Sequence, residues 1–153
     1  MSSIRTCLWF ERDGEVAAHF YTSLIANSAI TSEVGRTQSG APLMVNFHLD
    51  GVPYQALNGG PTYQPSPAAS IAITTPDQAE TDRIWNALVA DGGRESRCAW
   101  CIDRFGVSWQ VVPEALPGFV GGPDPEGARR ATEAMMAMTK IDIAALEAAY
   151  AGH

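Results

Sequence analysis

The segment DRFGVSWQVV, residues 103–112, sets Asp103 and the turn glycine Gly106 ahead of a mostly apolar run interrupted by the amide of Gln110. Metal-binding strands often begin this way, with a carboxylate where this chain has Gln110. Three readings follow for Gln110: a metal ligand lost to a neutral amide, a hydrogen-bonding contact to a substrate, or a polar residue on a sheet. Asp103 fits the role of capping its own Asp-x-x-Gly turn. Cys98 and Cys101 spell CxxC. A redox or zinc pair needs that motif at a turn or a helix start. Here it opens a predicted strand, where residues three apart point to opposite faces. A single reactive thiol is the remaining chemistry, with Cys98 the better placed because Trp100 shares its face. His19, His48 and His153 have no spacing that builds a metal cluster or a triad, although positions 46 and 48 of one predicted strand could face a cavity. Trp100 is a candidate cavity wall. Trp109 alternates with Gln110 and is expected under the helices. Asn58, before Gly59-Gly60, reads as a turn residue or as a polar group at a cavity mouth.

These residues need elements to hold them. Residues 4–10 read as a strand, and 14–26 as a helix with Asp13 at its N-cap and a Val16, Phe20, Leu24 stripe toward the core. Strands are expected at 29–37, 42–50 and 52–58, the last two joined by the hairpin signal Asp50-Gly51. The Pro- and Gly-rich stretch 59–69 reads as a linker. The order then repeats: a strand at 70–75, a helix at 76–93, and strands at 94–97, 98–103 and 107–113. Asp13 and Asp77, Leu24 and Leu88, Thr6 and Ser70 are each 64 residues apart, which indicates an internal duplication. The tail, 114–153, holds two helices capped by Asp124 and Asp142. Met135, Met136 and Met138 either pack this tail down or form an adaptable binding stripe.

Bulk properties bound the function. A chain of 153 residues can bury a real core, and 46% apolar with 18% charged residues is ordinary for a globular domain. The net charge of −7 and the lack of a basic run speak against nucleic acid or an anionic membrane as partner. No apolar stretch approaches the ~18 residues of a membrane span. The three cysteines fit a reduced, cytoplasmic protein rather than a disulfide framework.

A duplicated βαβββ unit, together with CLWF, AAHFYTSLIANS, ALNGGP, DRFGVSWQVVP and the tail DPEGARRATEAMMAMTKIDIAALEAAY, resembles the vicinal oxygen chelate superfamily, in particular its 3-demethylubiquinone 3-methyltransferase-like branch. The superfamily includes glyoxalase I, extradiol dioxygenases, and bleomycin and fosfomycin resistance proteins. The resemblance implies an α+β fold of two paired βαβββ modules forming a curved, incomplete barrel, here 4–58 and 70–113, plus C-terminal helices. It also implies a ligand cavity and a homodimer. Metal enzymes of this kind place one His, Gln or Glu on the first and last strand of each module. Carried over to this chain, those positions are Thr6, Tyr54 or Ala56, Ser70 and Gln110. None is a His or a carboxylate, so no metal and no cofactor are expected. The methyl-donor reading asks for a Gly-rich turn leading into a helix; LNGGP, 57–61, leads instead into Pro61 and a loop. The expectation is a small-molecule-binding protein for an apolar or aromatic ligand, contacted by Thr6, Tyr54, Ser70, Trp100 and Gln110. The alternatives are a metal-dependent lyase, isomerase or dioxygenase, a methyltransferase, and an orphan dimer whose cavity is filled by its own side chains.

Overall fold

Asp50 and Gly51 take φ values of +46° and +79°, the backbone a two-residue hairpin turn requires. The turn joins β3 (Pro42–Leu49) to β4 (Val52–Asn58). The computed structural model describes residues 2–153 and divides into two compact units, with the boundary between Ser66 and Pro67. In the first unit β1 (Thr6–Phe10), α1 (Gly14–Leu24) and β2 (Ala29–Arg36) complete a four-stranded sheet of order β1-β4-β3-β2. β1 runs parallel to β4, and the other pairs are antiparallel. The second unit repeats this plan. β5 (Ser70–Thr75), α2 (Gln78–Val89), β6 (Arg94–Glu95), β7 (Trp100–Ile102) and β8 (Ser108–Pro113) form a sheet of order β5-β8-β7-β6, with β5 parallel to β8. α3 (Leu116–Val120), α4 (Pro125–Met136) and α5 (Ile143–Ala151) follow. The fold is α+β, with two open mixed sheets, one helix against each, and a helical tail. Among the described residues no helix is long and apolar enough to cross a membrane.

α1 does not bury the stripe its large residues suggest. Gly14, Ala17, Ala18, Tyr21 and Leu24 face the sheet, whereas Val16 is 57% exposed and Phe20 is only half-buried. Small residues win because they let the helix lie close: a Cβ on Gly14 would sit 2.9 Å from Asn58 Oδ1 and 3.3 Å from the Ala56 Cβ. Asp13 stands at the N-cap, but its side chain caps nothing. Asn58 does that work. Its Oδ1 accepts from Gly14 N at 2.8 Å, and its Nδ2 donates to Pro42 O at 2.9 Å. The turn reading of Asn58 is thereby replaced: it is a buried bridge between α1, β4 and β3. In α2 the expected cap does form, with Asp77 Oδ1 accepting from Glu80 N at 2.8 Å. α2 ends earlier than expected, because Asp91 and Gly92 (φ +55° and +108°) turn the chain left-handed.

The strand expected at 98–103 is cut to Trp100–Ile102 by the tail. Cys98 and Ala99 adopt φ of +55° and +76°, which costs non-glycine residues on the order of 1 kcal/mol each. In return Cys98 N donates to Met138 O and Ala99 N to Thr139 O, while Ala99 packs with Leu116, Ile141 and Leu146. Met135 and Met138 pack against this cluster; Met136 is exposed and lies 3.5 Å from Cys98 Sγ. Asp124 and Asp142 cap α4 and α5 as expected. α3 is an additional turn of helix that the sequence does not announce. Cys98 therefore sits in a turn rather than a strand, but Cys101 is fully buried on β7. Burial, with Asp103 and Glu95 nearby, pushes its thiol up to about 12, so Cys101 is not a low-pKa thiol suited to redox chemistry.

Asn58→Ala is expected to cost about 1–3 kcal/mol in urea unfolding, since it strands a buried amide and a buried carbonyl. Asp13→Ala should cost less than about 1 kcal/mol, the charge–dipole share alone. The folded protein at pH 8 should resist alkylation at Cys101 while Cys98 reacts, and unfolding should release Cys101. Because the folded thiol titrates above the unfolded one, its contribution to stability is complete below the unfolded pKa. It is lost as pH rises toward 12.

Candidate functional site

Strand alternation divides each sheet into a face under its helix and a face turned away from it. In the first unit Phe10, Val45, Phe47, Leu49, Ala56 and Asn58 are buried on the α1 side. Thr6 and Tyr54 pair in register on this same side. Tyr54 stacks on Phe47 with centroids 5.5 Å apart, and Phe47 in turn lies against Tyr21 of α1. Burial raises the Tyr54 hydroxyl above its ordinary pKa. Thr6, exposed at the start of β1, and the half-buried Tyr54 thus project on the α1 side of the sheet, not on its far face. Ala56, the alternative to Tyr54, is fully buried beside Gly14.

In the second unit Cys101, Trp109 and Val111 are buried on the α2 side. Trp109 Nε1 donates to Asp103 Oδ2 at 2.9 Å, and Asp103 Oδ1 accepts from Phe105 N and Val107 N, so Asp103 caps its turn and anchors Trp109 together. The far face carries Ser70, Trp100, Ser108 and Gln110. Gln110 Nε2 donates to Ser70 Oγ at 3.0 Å, and Trp100 is the cross-strand partner of Gln110. Ser108, paired in register with Ser70, is 1% exposed, and its hydroxyl has no hydrogen-bond partner. The structure therefore brings Ser70, Trp100 and Gln110 to one sheet face.

The duplication explains why Thr6 and Ser70 part company. Gly59 N donates to Phe10 O, and Glu114 N donates to Thr75 O. These equivalent closures match Phe10 with Thr75 and Gly59 with Glu114. The helices keep the 64-residue offset, but the connection from β5 to its helix is one residue shorter than that from β1, so the first strands are offset by one more. A one-residue shift moves a side chain to the other face. Ser70 corresponds to Arg5, and Gln110 corresponds to Gln55. Sequence reasoning missed Gln55, although the signal was present: an aromatic residue followed by Gln in both Tyr54-Gln55 and Trp109-Gln110.

The far face of the first unit is accordingly polar at one end. Arg5 Nη1 and Gln55 Nε2 both donate to Asn46 Oδ1, at 3.3 and 3.1 Å, and Asn46 Nδ2 donates to Ser32 Oγ at 2.9 Å. His48, two residues along β3 from Asn46, has a buried Nδ1 without a partner. The other end is apolar: Met44 pairs with Leu57, and Trp9 donates to Gly60 O and meets Tyr63 edge-on at 5.0 Å. Past Phe10, beyond the Trp9 end of β1, Arg12 lines a cleft of about 480 Å³ with Glu11, Thr37, Ser39, Asn58 and Gly60.

The residues do not fit a divalent metal. The far-face positions on the first and last strands offer an arginine, two amides and hydroxyls, with no carboxylate or imidazole to balance the ion's charge. No group of three His, Cys, Asp or Glu residues with metal-binding geometry occurs among the described residues. Nor does LNGGP form a phosphate-binding turn. Gly59 is pressed against the Trp9 ring, where a Cβ would clash with Cζ2, and a short turn rather than a helix follows.

No curated protein matches this chain. A solved Bacillus cereus structure bearing the name 3-demethylubiquinone-9 3-methyltransferase, PhnB protein, is 27% identical over 73% of this chain and 99% of its own, with a TM-score of 0.66. The protein PA1353 of Pseudomonas aeruginosa, 20% identical over 74% of this chain and 98% of its own, has a TM-score of 0.62. The fosfomycin resistance protein FosX of Listeria monocytogenes, 14% identical over 75% and 93%, has a TM-score of 0.55. The last two share the fold. The family model described as 3-demethylubiquinone-9 3-methyltransferase matches residues 2–112, and with the duplicated βαβββ plan this places the chain in that family, within the vicinal oxygen chelate superfamily.

Proposed function

We propose that this chain is a small-molecule-binding member of the superfamily that works without a metal. The observation that carries the reading is the far face of the second unit, where Ser70, Ser108 and Gln110 stand beside Trp100 and the Ser108 hydroxyl is left unpartnered. A buried unpaired hydroxyl costs about 1–3 kcal/mol, a penalty that a bound oxygen or nitrogen would relieve. A few polar groups among apolar and aromatic ones are the usual make-up of a small-molecule site. The occupant is an apolar or aromatic compound with a hydrogen-bonding group, and neutral amides and hydroxyls suit recognition better than Lewis-acid catalysis. A cytoplasmic homodimer is part of the proposal. The acidic charge keeps nucleic acid and anionic membranes out of it. The tail gives no separate support for the dimer, since it packs within its own unit through Gln78, which bonds both Ile141 O and Ile143 N.

Two measurements test the reading. Protein soaked in Zn, Mn, Ni or Fe(II) and then desalted should retain far less than one equivalent of metal by elemental analysis. Stoichiometric metal lost on Gln110→Ala would instead restore a lyase or dioxygenase reading. In a screen of aromatic compounds followed by NMR, binders should shift the side-chain amide signals of Gln110, and Gln110→Ala should weaken them about tenfold, the worth of one good hydrogen bond.

A further inference from the structure

Most cations of this acidic chain have a carboxylate at hand: Arg36 with Glu33, Arg83 with Glu80, Arg104 with Asp91, Arg129 with Glu126 and Glu133, Arg130 with Asp124, and Lys140 with Asp82. Arg5 is different. Its hydrogen bond is to the neutral oxygen of Asn46, which also accepts from Gln55. Asn46 is itself held by Ser32. Two donors, one of them charged, are thus steered to one point on the far face of the first sheet. A guanidinium presents five N–H groups in a planar fork that matches a carboxylate, and Arg5 spends one on Asn46. His48 Nδ1, on the same face, is a further buried polar atom without a partner. From this end the face turns apolar through Met44 and Leu57 toward Trp9.

We propose that this face binds the carboxylate of an aromatic or apolar acid, with the acid group on Arg5 and Gln55 and the body lying over Leu57 and Met44 toward Trp9. This rests on the reading of the chain as a small-molecule binder and adds a face on the first unit with a charge and an orientation of its own. One guanidinium and one neutral amide balance a monoanion, and their planarity suits a carboxylate better than a phosphate dianion. Arg5 is the specificity residue, and Asn46 positions it.

The test uses 3-phenylpropionate and its neutral analogue 3-phenylpropanamide, titrated into the full chain and followed by NMR. The acid is expected to bind about tenfold more tightly than the amide and to move the Arg5 Nε–H and Gln55 side-chain signals. Arg5→Gln should erase that preference without weakening the amide. Asn46→Asp, which gives Arg5 an internal carboxylate, should do the same. Arg12→Gln, in the cleft past Phe10, should leave the preference intact. Equal binding of acid and amide, or a preference that survives Arg5→Gln, would overturn the proposal. Charge-independent binding that moves Gln110 alone would overturn it while leaving the small-molecule reading in place. No saturable shift with either probe would overturn it and count against that reading as well.

Discussion

Asn58 gives its carbonyl oxygen to the first amide of α1 and its amide to Pro42 O, and so ties the helix to two strands at one buried point. The second unit makes the corresponding tie with hydroxyls. Thr75 and Thr81 share a hydrogen bond at 2.7 Å, and Thr81 Oγ1 also donates to Asp77 O. Each tie fixes where its helix sits on the sheet. Helix position then dictates which of the two alternating sets of side chains is buried and which faces away. The placement of Arg5, Gln55, Ser70 and Gln110 on far faces follows from these ties. So does the facing of Thr6 and Tyr54 toward the α1 side.

The tail shapes the second sheet rather than merely following it. It takes the amides of Cys98 and Ala99 through Met138 O and Thr139 O, at the cost of two left-handed residues, and β7 shrinks to three residues. The apolar cluster of Ala99, Leu116, Ile141 and Leu146, with Val112 packed against it, covers that end of the far face. Trp100, Gln110 and Ser70 remain as its polar and aromatic part. Lys140 and Asp82, 2.8 Å apart, add a contact at the surface; its net worth is small because both ends are partly solvated, although Lys140 and Gln78 hold the Asp82 carboxyl below its ordinary pKa.

Chemically, the far-face positions on the first and last strands of each unit are neutral apart from Arg5. Neutral donors and acceptors recognise shape and hydrogen-bonding pattern, whereas a hard or borderline metal ion needs negative or strongly basic ligands to offset its lost hydration. The fold is one that elsewhere houses metal chemistry, and function lies in the side chains grafted on it rather than in the fold. The family's name therefore assigns kinship, and the residues on the sheets decide what can bind.

Much of the architecture was legible in the chain. Asp50-Gly51 announced its hairpin, Asp77, Asp124 and Asp142 announced their helices, and the spacing of Asp13 and Leu24 against Asp77 and Leu88 announced the repeat, because caps, turns and helical periods are local and leave local marks. The candidate site is legible only in part. The sequence singles out Ser70, Trp100 and Gln110, which share a sheet face, but it does not place Arg5 and Gln55 on the corresponding face, since a one-residue difference in the connection between strand and helix shifts the facing of β1 relative to the 64-residue repeat. Likewise the sequence alone fixed that Asp13 would stand at a helix start, yet only tertiary structure could give the cap to Asn58, which lies 44 residues away. What the sequence by itself determined is the set of elements and their donors and acceptors. What the tertiary structure decided is which of those groups share a face, because that depends on long-range register, where one residue is the difference between core and site.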